Sequence, residues 1–110
     1  MLLAEISMWP MDKGESVSPY VARVLDLIDR SGLPYRLGPL GTCIEGEWDE
    51  VMAVVKQCFD ALAADSHRVA ITMKCDWRKG RTGALEGKVA SVEAKLGRTL
   101  RSLPTSEAGG

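Results

Sequence analysis

Few side chains in this chain could carry chemistry, and their spacing narrows what that chemistry would be. The single histidine, His67, stands beside Asp65 and Arg68. It has no second histidine with which to share a metal and no nucleophile paired with it, so it reads as a solvent-exposed turn residue. Acids occur in two pairs, Glu45/Glu47 and Asp49/Glu50. The first pair is spaced to share one face of a strand, and the second lies where a helix begins and complements its positive end. Each pair has a structural explanation, and neither implies an acid–base machine. Cys43, Cys58 and Cys75 are too evenly spread for a C-x-x-C metal site or a disulfide framework and read as reduced, mostly buried thiols.

The elements that position these residues follow from periodicity. Leu2 to Trp9 alternates as a strand, with Ala4, Ile6 and Met8 on one face and Glu5, Ser7 and Trp9 on the other, and Pro10 ends it. Ser16 or Ser18 is placed to cap a helix over 16–31, in which Tyr20, Val21, Val24, Leu25 and Ile28 recur at helical spacing until Gly32. A second strand over 34–39 closes at Pro39 and pairs with a third over 42–47, where Gly46 marks a bulge or a close approach. That strand passes directly into a helix over 48–64 with Val51, Met52, Val55, Cys58, Phe59 and Leu62 along one stripe. A fourth strand over 68–77 alternates Val69, Ile71, Met73 and Cys75 against Ala70, Thr72, Lys74 and Asp76, predicting one core face and one polar face. A basic, glycine-containing loop leads to an added helix over 85–96 that stops at Gly97. Residues 1–97 therefore form one domain, and 98–110, ending Thr-Ser-Glu-Ala-Gly-Gly, a frayed or disordered tail.

The order strand, helix, strand, strand, helix, strand is the split βαβ pattern of an α+β, ferredoxin-like βαββαβ sandwich with an extra C-terminal helix. Two helices would cover one sheet face and leave the other to solvent or a partner. On that outer face the pattern gathers Glu5, Ser7, Trp9, Glu45, Glu47, Thr72 and Lys74. They form either a solvated or subunit-packed surface with cross-strand Glu–Lys pairs or a small-molecule site with hydrogen-bonding groups beside an aromatic ring.

At 110 residues the chain can bury about 65% of its unfolded surface, enough for one core and a small pocket. Fourteen Lys and Arg against fifteen Asp and Glu give no electrostatic case for a phosphate backbone. The topology also suits RNA-recognition modules, but the third strand puts acids where those need aromatic and basic residues, so nucleic acid is disfavoured. The first ten residues lack a basic leader and no run approaches the ~18 apolar residues of a membrane span, so the expected setting is the cytoplasm, without a membrane.

Several segments together resemble a known family. Ala4-Glu5-Ile6-Ser7 with Pro10, Gly14-Glu15-Ser16-Val17-Ser18, Gly41-Thr42, Ile44-Glu45-Gly46-Glu47-Trp48-Asp49-Glu50-Val51, Lys88-Val89 and Ser91-Val92-Glu93 are similar to the small thiamine-binding proteins of the YkoF-like superfamily over about residues 2–97. The resemblance implies a ferredoxin-like subunit that dimerises or forms tetramers through its sheets. It also implies binding of thiamine or its hydroxymethylpyrimidine part without conversion, with no cofactor or metal. An aminopyrimidine wants a carboxylate or hydroxyl partner and an apolar or aromatic wall, and a thiazolium cation favours acidic surroundings and a ring face. Glu45, Thr42, Ser7 and Trp9 offer those groups, and Ile44 and Lys74 complete the candidate ligand-binding set. The alternatives are an interaction protein whose sheet serves only oligomerisation and a small ferredoxin-like enzyme. Trp77 and the Arg78–Arg81 loop match no family feature.

Overall fold

In β1 (Leu2–Pro10) every second side chain is apolar, and Leu2, Ala4, Ile6 and Met8 are all buried. They make β1 the floor of the core. The remaining elements are α1 (Ser18–Arg30), β2 (Tyr35–Leu37), β3 (Thr42–Gly46), α2 (Trp48–Ala63), β4 (Val69–Trp77) and α3 (Ala84–Leu96) in a computed structural model that describes residues 1–101. The four strands form one sheet in the order β2-β3-β1-β4, antiparallel at every pairing. This is the ferredoxin-like arrangement that the order of elements predicts. The predicted tail falls for the most part on residues 102–110, which lie outside the described residues.

Helices α1 and α2 lie on the face of β1 that carries Leu2 and Ile6, and Val24, Ile28, Val51, Val54, Cys58 and Leu62 close the core from above. Full burial of a Leu, Ile or Val side chain is worth about 1.5–3 kcal/mol, so this layer carries most of the stability. At the start of α1 the residue before the helix is Val17, with no side-chain cap, so neither Ser16 nor Ser18 takes the capping role the sequence suggested. Pro19 in the first turn supplies the helical φ instead.

Gly46 sits in regular register opposite Leu2, without a bulge. A Cβ there would lie 3.3 Å from a Leu33 methyl and 3.4 Å from Val51, so the close approach is made by core side chains. One residue later the chain has left the sheet. Glu47 precedes α2 in extended conformation, and its N–H donates to the Glu50 carboxylate at 3.0 Å. Glu45 and Glu47 therefore do not share a strand face, because the helix start captures Glu47.

Two further expectations are corrected by packing. The predicted core face of β4 is only partly covered: Ile71 is 45% exposed and Trp77 57%. As the sheet edge, β4 is reached only in part by the two helices, which sit over β1 and β3: Val69 and Met73 pack against the core, while Ile71 and Trp77 stay uncovered. The outer face, expected to be left to solvent or a partner, is partly occupied by the first turn of α3. Only Ala84 and Leu85 of that helix are buried, while Val92 and Leu96 on its predicted apolar side are about half exposed.

Candidate functional site

The sheet is uneven in length, and that makes a site. β3 pairs with β1 only from Leu2 to Ile6, whereas β4 follows β1 all the way to Pro10. Ser7 to Pro10 thus have an open edge on the β3 side. A cleft of about 240 Å³ occupies that place, between this edge, α1 and the β2–β3 hairpin. Val21, Val24 and Leu25 of α1 form its apolar wall, and Leu37 and Leu40 line it from the hairpin.

The hairpin keeps the cleft open. The Gly38 N–H donates to the Gly41 carbonyl at 2.9 Å, with Pro39 and Leu40 at the tip. Proline suits the first central position of such a turn. A Cβ on Gly38 would stand 2.7 Å from the Gly41 oxygen, so a larger residue would force the lip to move. The register would set Leu40 opposite Met8, but the turn carries Leu40 away to 91% exposure.

Of the six sequence candidates, Ser7, Trp9 and Thr42 meet at this cleft. Thr42 is buried on the core face opposite Ile6 and brings a hydroxyl to the cleft lining. Ser7 and Trp9, half-buried, project to the other face, and the open edge lets both faces of β1 contribute. The other three candidates lie elsewhere. Ile44 is fully buried opposite Ala4 and serves packing. Glu45, 5% exposed, accepts hydrogen bonds from the Ala84 N–H and, at 3.2 Å, from the Leu85 N–H. Its negative charge thereby meets the positive end of α3. Lys74 is exposed and faces Glu5 in register across β1 and β4. It lines a second hollow of about 180 Å³ on the outer face, with Leu3, Glu5, Cys43, Asp76 and Lys88.

Charge separates the two hollows. The described lining of the cleft carries no charged side chain, whereas the outer hollow is lined by the carboxylates of Glu5 and Asp76 and by the ammonium groups of Lys74 and Lys88. Beside the outer hollow, hydrogen bonds from Lys88 and Arg81 hold the Asp76 carboxyl down to about 2. Burial, reinforced by the charge of Glu5, pushes the Cys43 thiol up.

Sequence reasoning missed the hairpin lip, α1's contribution and the open edge. Gly-Pro-Leu-Gly at 38–41 was a signal for the first. The open edge depends on strand lengths, which periodicity does not define. His67 is exposed and its N–H donates to Asp12 at 2.7 Å, as befits a turn residue. Among the described residues no group of three or more His, Cys, Asp or Glu is placed to hold a metal, and no helix is long and apolar enough to cross a membrane.

The profile of the family described as "Thiamine-binding protein" matches residues 4–93. The chain belongs to this family. A UPF0045 protein of Mycobacterium bovis is 42% identical over 96 residues, covering 86% of this chain and 94% of that protein. The crystal structure of a hypothetical protein from Methanocaldococcus jannaschii, 31% identical, superposes with a TM-score of 0.76 over 83% of this chain and 94% of that one. A Thermotoga maritima protein named for thiamine biosynthesis or salvage, 25% identical, superposes with a TM-score of 0.73 over 83% of this chain and 97% of that one. The thiamine-binding family match spans the whole described lining of the cleft and all six candidate residues.

Proposed function

We propose that this chain binds thiamine or a related hydroxymethylpyrimidine compound in the cleft and does not convert it, acting as a carrier, buffer or sensor. One observation carries the non-enzymatic part. Although Ser7 and Thr42 supply hydroxyls and Trp9 an indole, none of the described residues lining the cleft is an acid, a base or a thiol. General acid–base and nucleophilic catalysis need such a group within hydrogen-bond reach of the reacting atoms. What the lining offers is what a ring binder needs, an apolar wall with a few polar groups.

Size supports the same reading. Pockets that enclose a drug-sized ligand begin near roughly 300 Å³, so a cleft of about 240 Å³ takes a single substituted ring. The pyrimidine would enter and the thiazolium would stay at the mouth, in solvent. Calorimetric titration with thiamine tests the proposal, and the absence of heat at tens of micromolar would sink it.

A second reading concerns assembly, and the uncovered apolar groups favour it. Ile71 and Trp77 on β4 and Val92 and Leu96 on α3 are all 45% exposed or more. We infer that a second copy covers part of this surface, in a homodimer or homotetramer. Sedimentation showing only monomer at micromolar concentration would count against it.

A further inference from the structure

The open edge of β1 has a definite hydrogen-bonding polarity. In an antiparallel sheet each strand residue directs its N–H and C=O together to one neighbour, and the direction alternates along the strand. Two bonds that flank the β1–β4 ladder establish which residues face which way. The Met11 N–H donates to the Arg68 carbonyl at 2.8 Å, and the Arg78 N–H donates to the Met1 carbonyl at 3.3 Å. Odd-numbered residues of β1 therefore face β4, and even-numbered ones face β3. Leu2, Ala4 and Ile6 meet β3 partners. Met8 is the next even residue, and β3 has ended.

The N–H and C=O of Met8 thus project side by side into the cleft, where the register leaves no strand opposite them. Met8 itself is 5% exposed, so water reaches this pair chiefly through the cleft. A buried donor–acceptor pair without a partner is costly, and a ligand that supplies both partners recovers that cost. Thr42, on the neighbouring strand end, adds a hydroxyl beside it.

We propose that the cleft recognises its ligand through the Met8 backbone, and that it selects planar heteroaromatic rings in which an acceptor nitrogen stands next to an exocyclic amine. The Met8 N–H donates to the ring nitrogen and the Met8 carbonyl accepts from the amine, as a missing strand would. Val21, Leu25 and Leu37 offer the ring apolar contact. The 4-aminopyrimidine of thiamine has this donor and acceptor order, so the proposal deepens the binding function above and rests on it.

The test compares two ligands on the wild-type protein by calorimetry: thiamine, and the analogue whose 4-amino group is replaced by oxygen. The analogue presents N–H beside C=O, the reverse order, so donor meets donor and acceptor meets acceptor. Sites built around such hydrogen bonds reject mismatched ligands strongly, and we expect a loss of at least about thirtyfold. Amide NMR reads the contact directly: the Met8 N–H signal should shift on adding thiamine, and its hydrogen exchange should slow. Thr42→Val removes one hydroxyl at nearly constant volume and should weaken binding by up to about tenfold. Val21→Trp fills the mouth from an exposed helix position and should abolish binding, while Lys74→Ala in the other hollow should leave it intact. Equal affinity for the two ligands with an unmoved Met8 amide would overturn the recognition mode and leave the function standing. Failure of the wild-type protein to bind thiamine at all would overturn both.

Discussion

The two ends of this sheet are held together by different physics. Around β1 and β3, side chains such as Leu2, Ile44, Val51 and Leu62 are completely removed from water. Around β4 and α3 Ile71, Trp77, Val92 and Leu96 are about half exposed, and polar contacts join the burial of Ala84 and Leu85 in the fastening. Asp76 bridges Arg81 at 3.0 Å and Lys88 at 2.9 Å, and Glu45 receives the first turn of α3. Apolar burial is non-directional and cooperative, so the first region should lose structure only with the whole fold. Exposed ion pairs are weak and screened by salt, so the second should open on its own.

The sharpest way to break that contrast is to truncate one side chain in each region. Ile44→Ala or Leu62→Ala should cost about 2–5 kcal/mol in denaturant unfolding, because each leaves a cavity in a closed core. Val92→Ala, measured where the protein is monomeric, should stay within about 0.5 kcal/mol. Equal costs would mean that α3 belongs to the main core. If Val92→Ala is costly only where copies associate, the exposed helix face is an interface.

Glu45→Gln probes the joint between the regions. Losing the charge weakens two hydrogen bonds at a buried site, for an expected cost of about 1–3 kcal/mol. The loss should be local: hydrogen exchange at Ala84 and Leu85 accelerates while the core amides remain protected and thiamine affinity holds. A tenfold fall in affinity with α3 undisturbed would place Glu45 in the binding site instead.

Acid provides a smaller lever. The folded Asp76 carboxyl titrates at about 2, below its ordinary 3.8, first because of Lys88 and then because of Arg81. Its contribution is therefore complete above roughly pH 5 and fades as pH falls through about 2. Asp76→Asn should remove that part of the acid sensitivity at α3, read as exchange rates between pH 5 and 2. An unchanged acid profile would show that these bridges hold nothing.

The smallest effect is a labelling order among the thiols. Burial pushes Cys58 to about 11, and its Sγ lies 3.7 Å from the Val24 carbonyl in the core, so it should react with an alkylating agent only on unfolding. Cys43, half-buried and raised, should react slowly, and exposed Cys75 fastest. Protection of Cys75 that disappears on dilution would show a second copy covering β4.

Much of this molecule was legible along the chain because its elements are short and strongly patterned. Alternation marked β1, the 3.6-residue repeat marked α1 and α2, and glycines with φ of +67° and +73° bound α3 at Gly83 and Gly97. From the order of those elements came the sheet topology, and from the combined segments the family. The candidate site was legible in part: Ser7, Trp9 and Thr42 converge on one cleft, whereas the contact of Glu45 with the start of α3, a segment far along the chain, left no sign in the sequence.

What the sequence by itself determined, then, is local: which residues are strand or helix, which side of each is apolar, and the family to which the whole belongs. Tertiary structure alone decided which apolar faces are covered, what neutralises Glu45, and that β3 stops two residues before Met8 would need it. Those properties depend on how long one strand runs beside another and where a distant helix lands. No periodicity encodes them, because each is a relation between segments set by packing the whole chain at once.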